Sequence, residues 1–143
     1  MGVAAVGVCV LVWLVALSWY DLRERRLPNR LTVPGAFAVL VGAAAMGHGA
    51  PATAGAATLF GIYLVLHLIA PVAMGAGDVK LAVGIGALTG AFGVDVWALA
   101  AVAAPLMTAV WGIVARLTSA ERTVPHGPSM CATAAVATAI AVW

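Results

Sequence analysis

"GAGDVKLAVGIGALTG", residues 75–90, decides how many helices the chain has. The charge-free run behind Lys80, residues 81–94, is by itself too short to cross a hydrocarbon layer, which takes roughly 17–25 apolar residues in a helix. Drawing Asp78 and Lys80 into its first turn supplies the missing length. The other charge-free runs, 2–20, 31–47, 55–74, 96–115 and 129–143, already stand near that length, the last if Pro128 and its neighbours begin it. The chain therefore reads as an all-α integral membrane protein of six transmembrane helices, one transmembrane domain over residues 1–143.

Composition demands the same class. Hydrophobic residues make up 64% of the 143 and charged residues 8%, a balance that a soluble domain of this size has no core to absorb. Residues 2–20 form one long run with basic residues only behind it, so they are expected to stay as a helix and not to be removed as a signal peptide. Cys9 and Cys131 both lie in apolar runs; with no CxxC pair they suggest packing residues, not a zinc site or a disulfide framework. No metal, no cofactor and no nucleic-acid partner is expected.

Arg23, Arg25, Arg26, Arg30, Lys80, Arg116 and Arg122 fall in the first, third and fifth connections between helices, and the second and fourth have no basic residue. Cytoplasmic loops collect Lys and Arg, which places the odd connections inside and both termini outside. Trp19, Tyr20, Trp97 and Trp143 then fall at membrane interfaces. The cluster "DLRERRLPNR" (21–30) serves in the first instance to anchor this topology against anionic lipid.

On that topology Asp21, ending helix 1, and Asp78, opening helix 4, share the cytoplasmic face. Asp95, seventeen residues beyond Asp78 along a helix, is about 25 Å away and thus at the opposite face. A lone interfacial Asp is commonly a cap or a solvated loop end, and Asp78 at a helix start fits that role. A pair on one face is a different matter. Two carboxylates brought close cannot both ionise cheaply, so they share one proton near neutral pH. The ionised one can take a proton from water while the other donates to a peptide carbonyl, which is amide hydrolysis without metal or covalent intermediate. Gly75 and Gly77, without Cβ atoms, would let an extended substrate backbone approach the acid.

With these residues the chain resembles the type IV prepilin peptidases, membrane aspartic proteases of the GxGD class. The resemblance is carried by "DLRERRLPNRLT" (21–32), an Asp followed by hydrophobic-Pro-Asn and Thr, and by Gly-x-Gly-Asp-x-Lys at 75–80. The ending "VPHGPSMCATAAVATAIAV" is similar to the family's last helix with its Pro-x-Gly-Pro turn, with His126 where an aromatic is common. The resemblance implies that Asp21 and Asp78 are the catalytic pair and that Gly75, Gly77, Lys80, Pro28 and Asn29 are motif or substrate-binding residues. It implies as substrate the short basic leader of a prepilin or pseudopilin, cut after a glycine on the cytoplasmic side of a bacterial-type plasma membrane. Longer members carry an insert with paired CxxC motifs and also methylate the new N-terminus. This chain resembles the compact members that serve tight-adherence pili, so cleavage without methylation is expected. Presenilin-like and signal-peptide-peptidase-like proteins also use GxGD, but need a longer architecture.

Other residues invite weaker readings. Lys80, about 200° around a helix from Asp78, either snorkels to headgroups or meets an acid of the substrate. Glu24, beside three arginines, reads as a solvated ion-pair partner. His67 reads as a neutral hydrogen-bonded bundle residue. Gly86 and Gly90 form GxxxG, a close-contact stripe that brings helix 4 to helix 1 or makes a homo-oligomer. Pro71 and Pro105 are expected to bend helices 3 and 5 and open a wet cleft. The rival from another class is a small proton-coupled transporter component using the same acids, which would favour a midplane acid over two at one face.

Overall fold

A computed structural model describes residues 2–118 and 123–143. Arg122, assigned above to the fifth connection, lies outside the described residues. The described residues form six α-helices and no strand: α1 (Gly2–Glu24), α2 (Asn29–Ala45), α3 (Gly49–Ile69), α4 (Ala76–Ala91), α5 (Val94–Thr118) and α6 (Gly127–Val142). Three are long and apolar enough to cross a membrane: Ala4–Glu24, Gly49–Ile69 and Val94–Thr118; Asn29–Ala45 and Gly127–Val142 are shorter apolar helices. As the run lengths required, α4 takes in Asp78 and Lys80, and α6 starts just before Pro128.

α4 is the centre of the bundle. It packs against α2, α3, α5 and α6, while α1 lies on α6 and α2. From Leu81 to Gly90 every residue of α4 except Val83 is buried, as expected of a helix apolar on all sides. The outer helices turn apolar side chains outward, Val8, Leu11, Val12 and Val15 on α1 among them, the face a membrane protein offers to lipid tails.

Glycine sets how close the helices come. A Cβ at Gly86 would run into the backbone of Gly55 and lie 3.0 Å from the Cα of Ala56; one at Gly90 would lie 2.7 Å from the Pro51 carbonyl oxygen. The GxxxG stripe thus serves the α3–α4 contact, not a contact with helix 1 or a second copy. Helix 1 reaches α4 through a side chain instead. The Trp13 indole lies against Gly35 of α2 and Gly84 of α4, and its Nε1–H donates to the Leu31 carbonyl at 2.9 Å.

Several other expectations change. α4 ends at Ala91 and the chain reverses at Phe92–Gly93, with Gly93 at φ +116°, so Asp95 heads a separate helix. It still sits beyond the far end of α4, about 20 Å from the level of Asp78 at 1.5 Å per residue. α3 stops at Ile69 and Pro71 falls in the turn behind it, so it bends no helix; Pro105 is inside α5. Trp97 is half-buried and donates to the Gly55 carbonyl at 3.1 Å, which makes it a bundle residue. Cys131 is buried, whereas Cys9 is exposed on α1.

Candidate active site

The last turn of α1 and the first turn of α4 face one cavity of about 550 Å³, lined by Asp21, Glu24, Arg25, Arg26, Leu27, Pro28, Asn29, Gly75, Gly77, Asp78 and Lys80. All seven residues singled out from the two motifs are among them. Asp21 is 7% exposed, and Asp78 is half-buried within reach of its charge.

The Asp21 carboxylate is held by a backbone amide. The Gly127 N–H, at the start of α6, donates to Asp21 Oδ2 at 3.0 Å. A buried carboxylate without such a donor would be costly, and at the C-terminal end of α1 the helix dipole works against an anion. The Arg25 charge adds to the compensation. Asp78 is the third residue of α4. Its N–H donates to the Gly75 carbonyl at 3.1 Å, and the Gly75 backbone favours its ionised form. The dipole at this end favours the anion.

The surrounding loops are tied together. Arg25, just past the end of α1, has φ +50°, a left-handed conformation that a side chain disfavours. Its guanidinium donates to the Thr123 carbonyl at 2.9 Å and to the Thr123 hydroxyl at 2.8 Å, joining the first connection to the segment before α6. Lys80 Nζ donates to Asn29 Oδ1 at 2.9 Å. It links α4 to the start of α2 from an exposed position on the cavity wall. His67 Nδ1 donates to the Met74 carbonyl at 2.7 Å and steadies the turn ahead of Gly75, the hydrogen-bonded role expected of it. The first, third and fifth connections therefore meet at one end of the bundle.

The two motif glycines have local reasons. A Cβ on Gly77 would lie 3.3 Å from the Leu27 Cβ, and one on Gly75 would lie 3.3 Å from Asp78 Oδ2. Both let neighbouring parts of the protein close up, before any substrate is considered. Gly127 was not singled out by sequence reasoning, although the Pro-His-Gly-Pro turn marked it; its importance shows only once α6 is brought to α1.

A model of the type IV leader peptidase family matches residues 8–119, a span that holds both Asp21 and Asp78. The chain belongs to that family. This leader peptidase is thus a membrane protein whose two motif carboxylates line one cavity at a bundle end. No curated protein and no solved structure matches the chain. The family match stops short of Gly127, so the amide that holds Asp21 is known from the structure alone. Among the described residues, no group of three or more His, Cys, Asp and Glu side chains is placed to hold a metal ion.

Proposed function

We propose that the chain is an aspartic endopeptidase that cuts the basic leader of a type IV prepilin or pseudopilin, with Asp21 and Asp78 as its acid and base. The observation that carries this reading is that the two carboxylates, from opposite ends of two different helices, line the same cavity within reach of each other's charge. One of them, ionised, takes a proton from the attacking water. The other, protonated, donates to the scissile carbonyl and then, with roles exchanged, the leaving amine receives its proton. Family membership favours a peptidase over the proton-coupled transporter component.

The finer reading follows the charges. The chain is one transmembrane unit of six spans over residues 1–143, with both termini outside and the cavity opening toward the cytoplasm of a bacterial-type plasma membrane. The glycine-ended leader enters from that side, and cleavage leaves an unmethylated N-terminus, as in the compact members that serve tight-adherence pili.

The test is cleavage of a purified prepilin in detergent by parent, Asp21→Asn, Asp78→Asn and the double variant at equal protein levels. Each single variant should lose nearly as much activity as the double, since an acid and a base acting together are not additive. Asp95→Asn should cleave like the parent. Near-parental cleavage by either single Asn variant at 21 or 78 would rule the dyad out.

A further inference from the structure

The turn that presents Gly127 to Asp21 is itself gripped at the preceding residue. The ring of His126 sits between α3 and α5, with Nε2 2.8 Å from the Tyr63 hydroxyl and Nδ1 2.6 Å from the Thr108 hydroxyl. The Tyr63 and His126 rings are 5.7 Å apart between centroids and tilted by 32°. The Thr108 oxygen is also 3.0 Å from the Ala104 carbonyl, which can only accept. Thr108 therefore gives its proton to Ala104 and accepts the His126 Nδ1–H, leaving Nε2 to accept from the phenol of Tyr63. Burial pushes the imidazole down to about 4, so at neutral pH the ring has the one N–H and one lone pair this arrangement uses.

The network reaches both carboxylates, through the backbone after His126 and through Tyr63, while its Thr108 end stops at the Ala104 carbonyl. The amide next after His126 is the one that holds Asp21 Oδ2, and the Tyr63 phenol lies within reach of the Asp78 charge. His126 does not line the cavity, so it is not placed to touch a substrate. We infer that His126 is a positioning residue of the dyad: Tyr63 of α3 and Thr108 of α5, holding its two ring nitrogens, fix the turn whose Gly127 amide orients Asp21. The inference rests on the dyad reading. It separates from a plain packing role because a packing residue sets stability, whereas a positioning residue sets turnover in a protein that is still folded and still binds its leader.

The experiment compares His126→Phe, which keeps a ring and loses both hydrogen bonds, with His126→Gln, whose carboxamide can again donate and accept. A purified prepilin with a short basic leader is the substrate, and kcat, KM and melting temperature in detergent are measured for each. His126→Phe should lower kcat about 10- to 100-fold with KM within about twofold, the size expected when a reacting group is misplaced by about an ångström. His126→Gln should stay within about threefold of the parent. In the Phe variant, amide exchange on a peptide covering residues 123–131 should quicken at an unchanged melting temperature. Parental kcat in the Phe variant, a Gln variant as slow as Phe, or a raised KM at parental kcat would each overturn the inference. If the Phe variant fails to accumulate folded, Tyr63→Phe, which removes one oxygen, is judged by the same kcat and KM criteria. Asp78→Asn is run alongside. If it cleaves, the dyad reading has failed; if it is inactive while His126→Phe cleaves normally, only the role of His126 has failed.

Discussion

Gly127 donates its amide hydrogen to Asp21 Oδ2 at 3.0 Å, joining residues 106 positions apart in the chain. The contact is close because residue 127 has no side chain: a Cβ there would stand 2.5 Å from that oxygen and 3.1 Å from the carboxylate carbon. Gly127→Ala must push Asp21 away or move the start of α6. With the dyad in its proposed role, cleavage should fall at least about tenfold. A prepilin assay at matched protein levels measures this, and Gly61→Ala, where a Cβ meets nothing within 4 Å, is the control.

The same comparison applies to helix packing. Gly86→Ala places a methyl group against the α3 backbone at Gly55 and Ala56, where no flexible side chain can give way. Overpacking of this kind costs about 1–3 kcal/mol, and the melting temperature in detergent should drop. Gly61→Ala, in a helix with open space at that position, should leave it unchanged or raise it, since Ala is the better helix former by roughly 0.5–1 kcal/mol.

Much of this was legible in the sequence, for physical reasons. Hydropathy marks each helix because apolar length is what a bilayer selects, and the shortness of run 81–94 forced Asp78 and Lys80 into α4. The sequence motifs around Asp21 and Asp78 pointed to residues that do line one cavity. What stayed hidden depends on which helices are neighbours. The GxxxG stripe announced a close contact but not that α3 supplies it. Cys9 and Cys131 look alike in hydropathy and differ only in the face they occupy. The grip of Gly127 on Asp21 and of Lys80 on Asn29 joins residues far apart in the chain, which no local pattern encodes. The helix break before Asp95 did have a signal, Gly93, which adopts the left-handed region that glycine alone enters freely.

Orientation in the membrane is open to direct test. Arg25 with Thr123 and Lys80 with Asn29 bring the three odd connections to one end of the bundle, the end that the proposed topology turns to the cytoplasm. In a variant without native cysteines, Thr118→Cys should resist an impermeant thiol reagent added to intact cells, and His48→Cys, in the second connection, should react. The reverse pattern would invert the topology and put the cavity outside.

The last prediction concerns acid. Burial holds His126 at about 4 in the folded protein, against an ordinary value of 6.5. A group whose folded value is depressed contributes stability above the ordinary value and loses it as pH falls toward the folded one. The window is therefore pH 6.5 down to about 4: the unfolded chain gains a proton at the imidazole before the folded protein does. Tyr63 and Thr108 face the ring directly, and Asp21 and Asp78 lie beyond Gly127 and Tyr63, so carboxylate titration overlaps this window. The readout that isolates the imidazole is a difference. Melting temperature measured in detergent across this range should fall more steeply for the parent than for His126→Gln, which has no proton to take up. Equal slopes would mean that the ring is protonated as readily folded as unfolded, and that burial does not hold it neutral.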